Sequence, residues 1–115
     1  MTKAILLISL CIVLSLEAKE IKQTHQDKLV ISFISIGTGI DYTAKDQLLL
    51  SVREFEIQYQ IELAVSSKNW GREGEVDYVY DLSRLTKKQC KEFIQKTKKM
   101  FNENDRVKIT LNPVD

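Results

Sequence analysis

The 115-residue sequence predicts an α+β domain with one four-stranded antiparallel sheet and two helices on one face of that sheet. Four short apolar or alternating runs are typical of strands, and two stretches with helical spacing separate them in the order β-α-β-β-α-β. The low content of Gly (4) and Pro (1) argues against disorder and against a linker-rich architecture. A chain of this length buries one modest core.

The N-terminus, residues 1–18, predicts a cleaved signal peptide. Lys3 gives a positive start, and the apolar core of residues 4–16 is shorter than the roughly 20 residues of a membrane span. We expect cleavage after Ala18, with an uncleaved anchor as the alternative, so the mature chain is secreted or periplasmic and has no transmembrane span. Residues 19–28 are polar and predict a flexible arm, which contains His25.

The first half of the domain, which spans residues 29–112, predicts a strand and a helix. Residues 29–36 are nearly all apolar and rich in β-branched side chains, which is typical of a central strand buried on both faces. A helix follows, with Thr43 as its expected N-cap and apolar residues recurring at spacings of four and three. From Phe55 the chain alternates instead, so the helix-to-strand boundary is predicted between residues 55 and 59.

The second half predicts a hairpin, a helix and a last strand. Residues 69–75 read NWGREGE and separate two alternating runs, which indicates a β-hairpin. Thr86 and Gln89 form a capping box at the start of the clearest helix, whose apolar face includes Cys90 and Phe93. Residues 106–111 alternate again as a final strand. With right-handed crossovers, the topology over residues 29–111 resembles the ferredoxin-like sandwich, although no family motif accompanies it.

The stretch SIGTGID, residues 35–41, places Gly37, Thr38 and Gly39 between the first strand and the first helix. We interpret it as a turn, because the third glycine of a dinucleotide fingerprint is replaced by Tyr42 and nearby Asp41 would repel a phosphate. The alternative is a small-molecule or anion-binding loop, with an enzymatic role included in that alternative.

The hairpin predicts a contact surface for a protein partner. Trp and Tyr side chains and an Arg are the types enriched in binding hot spots, and here they cluster around a glycine-bearing turn. The candidate contact residues are Trp70, Arg72, Glu73, Tyr78 and Tyr80. The competing interpretation is that Trp70 and Tyr78 cap the core.

Charge is unevenly distributed although the net charge is +1. Residues 83–101 hold seven basic residues and one acid, so an anionic polymer is a second kind of partner, contacted through Lys87, Lys88, Lys91 and Lys98. Ordinary solvation of a lysine-rich helix is the simpler interpretation. No aromatic residues alternate with these lysines, so we predict no nucleic-acid binding.

The sequence indicates no catalytic, cofactor or metal site. One histidine and two cysteines, one of them in the signal segment, cannot supply a zinc site or an ordered Ser-His-Asp arrangement. We expect Cys90 to pack in the core, because it shares the apolar face of its helix with Phe93, Ile94 and Phe101. The chain is interpreted as a small secreted, non-catalytic binding protein that uses the 69–80 hairpin or the open face of the sheet.

The open sheet face also predicts a homodimer. Leu29, Ile31 and Phe33 alternate with Val30, Ile34 and Ile36, so an apolar set is expected on both sides of the first strand. A contiguous apolar patch usually marks a contact, and a second copy of the chain is its simplest cover. The arm of residues 19–28 folding across the sheet is the alternative cover.

Overall fold

The computed structural model describes residues 27–113. The strands are β1 (Lys28–Phe33), β2 (Ala64–Asn69), β3 (Val76–Asp81) and β4 (Val107–Leu111), and the helices are α1 (Tyr42–Tyr59) and α2 (Lys87–Met100). The expected signal peptide, residues 19–26 of the arm, and His25 lie outside the described residues.

The sheet has the strand order β2-β3-β1-β4, and every neighbouring pair is antiparallel. Each helix connects two strands that are not neighbours, which gives the β-α-β-β-α-β topology of the ferredoxin-like sandwich. The predicted fold class is therefore confirmed.

The first strand, β1, is central as predicted, but only one of its faces is fully buried. Leu29, Ile31 and Phe33 are completely buried in the core, whereas Val30 and Ser32 on the other face are half-buried. The strand also ends at Phe33, three residues before the end of the apolar run. The run of apolar residues therefore continues past the strand into the following loop.

Helix α1 differs from the prediction at both ends. Its N-cap is Asp41 and not Thr43, because the Asp41 carboxylate accepts a hydrogen bond from the Ala44 amide at 3.0 Å. The helix continues to Tyr59, at the C-terminal limit of the predicted boundary, so the alternation that begins at Phe55 does not mark a strand there.

The signal that ends α1 is a left-handed residue other than glycine. Gln60 has φ 53° and ψ 47°, and its amide donates to the Ile57 carbonyl. The Ile61 amide donates to the Glu56 carbonyl at 3.1 Å, which completes a Schellman motif. This motif explains why the junction contains neither Gly nor Pro.

Helix α2 begins as predicted. The Thr86 hydroxyl accepts from the Gln89 amide, and the Gln89 side chain accepts from the Thr86 amide, so the capping box is confirmed. The helices contact each other through Phe55 and Phe93, whose ring centroids are 5.2 Å apart. Cys90 is 5% exposed and lies in the core, as predicted.

The open face of the sheet is more polar than the sequence suggests. The register aligns Ser66, Val79, Val30 and Thr110 in one cross-strand row, and Lys68, Asp77, Ser32 and Lys108 in the next row. Both valines are half-buried. The contiguous apolar patch expected on this face is therefore not present on the described strands, because polar side chains surround the two valines and Ile36 lies in the loop after β1.

Candidate functional site

The glycine stretch between β1 and α1 is a turn organised by Ser35. The Ser35 hydroxyl oxygen accepts hydrogen bonds from the amides of Gly37, at 3.1 Å, and Gly39, at 3.0 Å. Both glycines have positive φ, and Thr38 between them is exposed. The side chain of Ser35 thus satisfies two backbone donors that a phosphate would need.

Glu73, at the tip of the β2–β3 hairpin, reaches into the same turn. The Ser35 hydroxyl donates a hydrogen bond to the Glu73 carboxylate, and the Gly39 amide lies 3.4 Å from the same carboxylate oxygen. A carboxylate of the chain itself therefore lies at the Gly39 amide and at the Ser35 hydroxyl that both glycine amides contact. A bound anion would have to replace Glu73.

The N-terminus of α1 is also occupied by a carboxylate. Besides capping Ala44, Asp41 accepts a hydrogen bond from the Asn104 side-chain amide at 3.0 Å. These bonds to the ionised form, the backbone amide first and the Asn104 amide second, hold the pKa of Asp41 below its ordinary value. The positive end of the helix dipole is thus matched by a residue of the chain.

The hairpin tip is tightly folded. The Trp70 amide donates to the Glu75 carbonyl at 3.0 Å, and the Glu73 amide donates to the Glu75 carboxylate at 2.8 Å. The tip also packs against the start of α1. A methyl group at Gly74 would lie 2.8 Å from the Tyr42 hydroxyl oxygen, and the φ of +88° at Gly74 is one that glycine adopts without strain.

The contacts of Glu73 and Gly74 join the glycine turn and the hairpin tip into one surface. We call this the tip surface and define it by its exposed side chains Ile36, Tyr42, Trp70 and Arg72. Ile36 and Tyr42 are each 59% exposed, and Trp70 is 39% exposed. The Trp70 indole N–H donates to the Asp77 carboxylate at 2.9 Å, which fixes the orientation of the ring.

The structure separates the five residues predicted to contact a partner into two groups. Trp70, Arg72 and Glu73 lie at the surface of the tip. Tyr78 and Tyr80 face the helices, where the Tyr78 ring contacts Phe33 and the Tyr80 ring contacts Phe93.

Tyr80 is only 1% exposed, and this burial raises the pKa of its hydroxyl to about 12. Because strand alternation puts Tyr80 on the core face, it is inaccessible to a partner of the folded chain. Ile36 and Tyr42, which the sequence did not indicate as contact residues, are exposed on the loop and helix start that Glu73 and Gly74 join to the tip. No local pattern signals this, because Ser35 and Glu73 are 38 positions apart.

The lysines of α2 border two shallow, neighbouring grooves that share Lys91 and Gln95. Lys87, Lys91 and Lys98 lie beside Cys90 and Ile94 at a groove of about 440 Å³. The second groove, of about 730 Å³, is lined by Tyr59, Lys88, Lys91, Glu92, Gln95, Lys96 and Lys99. The four lysines predicted to contact an anionic polymer are therefore divided between the two grooves.

The cavity at the start of β2 contains none of the predicted site residues. It measures about 520 Å³ and is lined by Ile61, Glu62, Leu63, Ala64, Asp81, Ser83, Arg84 and Leu85. Within residues 27–113, no group of three His, Cys, Asp or Glu side chains is arranged to hold a metal ion. None of the helices in this part of the chain is long and apolar enough to cross a membrane.

Comparison of the chain with known protein families, with curated proteins and with solved structures found no match. Inference about function therefore rests on the tip surface and on the other exposed features of the chain.

Proposed function

We propose that this chain is a small secreted, non-catalytic binding protein whose tip surface contacts a protein partner. The observation that carries the proposal is the joining of the two loops by Ser35 and Glu73. The joined loops expose the side chains of Tyr42, Trp70 and Arg72, and hydrogen bonds at both loops hold this surface in place. Aromatic and arginine side chains are enriched in binding hot spots, and a backbone that is already ordered lowers the entropy cost of binding.

The tip surface is a better candidate than the open sheet face. The two central rows of that face carry two lysines, an aspartate and several small hydroxyl side chains around the half-buried pair Val30 and Val79. The tip surface instead exposes large side chains, and Trp70, which bonds to Asp77 of the open face, lies where the two surfaces meet. The secreted location in this proposal rests only on the signal peptide predicted at residues 1–18.

The test is affinity capture from the extracellular or periplasmic fraction of the native host, using the processed protein as bait. Trp70→Ala and Arg72→Ala should lose a protein that the wild type recovers. Leu111→Ala is the matched control, because Leu111 lies on β4 and is also 39% exposed. Thermal unfolding of each variant checks that the fold is intact.

Equal recovery by all variants would contradict the proposal. Recovery of no protein, together with a bound metabolite in the mass spectrum of the purified chain, would favour the small-molecule alternative at Gly37–Gly39.

A further inference from the structure

Strand β2 is an edge strand whose six residues are all exposed. It pairs with β3 on one side only, so its other side presents backbone N–H and C=O groups that have no ladder partner among the described residues. Proteins usually protect such an edge with proline, bulges or several charges. In β2 the single charged residue is Lys68.

The direction of each backbone group in β2 follows from the hairpin. The Trp70 amide donates to the carbonyl of Glu75, the residue opposite it in the same hairpin. Because backbone direction alternates along a strand, residues 64, 66 and 68 also point their N–H and C=O groups toward β3. The groups of Val65, Ser67 and Asn69 therefore point outward. These three residues form a free edge with Ser67 at its centre.

A free edge with an odd number of outward residues is self-complementary about its central residue. Antiparallel pairing of two copies around Ser67 places Ser67 opposite Ser67 of the second copy and Val65 opposite its Asn69. All the outward N–H and C=O groups of the three residues then find partners. Lys68 falls opposite Ser66 of the second copy, so no like charges oppose each other.

Apolar side chains beside the edge favour the same contact. Tyr42, Leu49 and Glu56 follow one line along α1 at seven-residue spacing. The two ends of this line lie on the β2 side, since Tyr42 approaches Gly74 and Glu56 accepts a hydrogen bond from the Leu63 amide. Leu49 therefore lies along β2.

Val65, whose side chain points to the helix side of the sheet, is 51% exposed, and Leu49 is 43% exposed. Pairing of a second strand at this edge would shield both side chains from water. The edge thus offers apolar contacts in addition to its backbone groups.

We propose that the β2 edge binds a second copy of this chain, in a two-fold antiparallel β2–β2 pairing centred on Ser67. The product is one eight-stranded sheet. Because the pairing is two-fold, it uses both β2 edges and leaves none for a third copy. The edge strand that remains exposed in each copy is β4, which is followed directly by Asn112 and Pro113. This dimer is independent of the tip surface and differs from one formed through the open sheet face.

The first experiment is sedimentation equilibrium of the full chain over a wide concentration range. We expect reversible dimers with a dissociation constant of roughly micromolar order, because the contact is smaller than a standard interface. Ser67→Pro removes an outward N–H without removing a bond to β3, so the dissociation constant should rise about tenfold or more while the melting temperature stays close to the wild type. Ser66→Pro is the contrasting variant, because it removes a bond to β3 and should lower the melting temperature.

The second experiment tests the register and does not depend on proline. In a Cys11→Ser background, Ser67→Cys should form a disulfide-linked dimer under mild oxidation, because facing residues lie within the reach of a disulfide. Ser66→Cys should not, because two copies of residue 66 are offset by two positions along the strands and lie too far apart. Buried Cys90 is the same in both variants.

A wild-type chain that stays monomeric at millimolar concentration would overturn the proposal. So would a dimer whose affinity Ser67→Pro leaves unchanged, or disulfide formation by Ser66→Cys that is as fast as by Ser67→Cys.

Discussion

The hydroxyl of Ser35 donates a hydrogen bond to the carboxylate of Glu73 and thereby connects the first loop of the domain to the tip of its hairpin. The same hydroxyl accepts from the amides of Gly37 and Gly39. One serine side chain therefore organises the glycine turn and links it to the tip surface.

This link should be measurable as a coupling energy. Ser35→Ala and Glu73→Ala should each lower the free energy of unfolding, and a double-mutant cycle should give a coupling of about 1 kcal/mol, because the bond involves a carboxylate but lies near solvent. Glu62→Ala, an exposed carboxylate on the chain between α1 and β2, is the control and should leave the effect of Ser35→Ala unchanged. Additive effects of Ser35→Ala and Glu73→Ala would show that the bond contributes nothing.

Gly39→Ala should destabilise the domain through the backbone alone. The φ of Gly39 is +95°, and the nearest atom to an added methyl group, the Glu73 carbonyl oxygen, is 3.9 Å away, so the space is sufficient but the conformation is not. We expect a loss of about 1 kcal/mol or more in urea unfolding.

The same variant tests the anion-binding alternative. Inorganic phosphate and nucleotides should leave the melting temperature of the wild type unchanged, since Ser35 and Glu73 already engage the amides of the turn. A clear rise in the wild type that Gly39→Ala abolishes would establish an anion site in this loop.

The stability contributed by Asp41 should depend on pH. Its pKa is lower in the folded chain than the ordinary value of 3.8, so folding favours the ionised carboxylate. The contribution is complete above pH 3.8 and is lost as the pH falls below that value toward the folded-state pKa. Asp41→Ala should cost about 1 kcal/mol at neutral pH, and this cost should shrink in acid.

Asp46→Ala is the control for Asp41, because Asp46 is an exposed aspartate in the same helix. It should have a small effect at every pH. A cost of Asp41→Ala that is the same at pH 7 and pH 3 would contradict the assigned role of the ionised carboxylate.

Gln60→Gly should stabilise the chain. Gln60 holds a left-handed conformation that costs an ordinary residue roughly 1 kcal/mol and costs glycine almost nothing. Gln58→Gly provides a matched control within α1, where glycine should lower the free energy of unfolding by about 1 kcal/mol. Chemical denaturation of both variants decides, and destabilisation by Gln60→Gly would count against the Schellman ending.

The thiol of Cys90 should react slowly in the native chain. Burial, together with the nearby Asp27 carboxylate, raises the pKa of Cys90 to about 11 from an ordinary value of 9.0. In a Cys11→Ser background at pH 8, labelling should therefore be slow in native buffer and should accelerate strongly in denaturant. Prompt labelling without denaturant would show that the site opens readily.

Much of the fold could be predicted from local patterns, because those patterns are read along consecutive residues. The Thr86–Gln89 capping box depends on two side chains three positions apart, and it forms as predicted. The end of α1 could not be placed as well. The residues around Phe55 fit both a helical and an alternating period, and only the left-handed Gln60 and the contact of Glu56 with Leu63 decide between them.

Less of the candidate site could be predicted. Trp70 and Arg72 are recognisable by residue type, and both lie at the surface of the tip. Tyr80 is also a residue type common in binding hot spots, but it lies on the core face of β3 and is buried. Residue type alone does not show which face of a strand a side chain occupies. The open sheet face was expected to be apolar because the first strand is, yet its neighbours in the sheet supply serine, threonine, lysine and aspartate.

The order of strands and helices, the capping of α2 and the placement of Cys90 in the core follow from local patterns, because periodicity and capping act over a few neighbouring residues. The joining of the glycine turn to the hairpin and the exposure of the β2 edge follow from the three-dimensional arrangement. Both depend on contacts between residues far apart in the chain, such as Ser35 with Glu73, and on which strands become neighbours in the sheet. Packing of the whole chain fixes these relationships, and no local pattern encodes them.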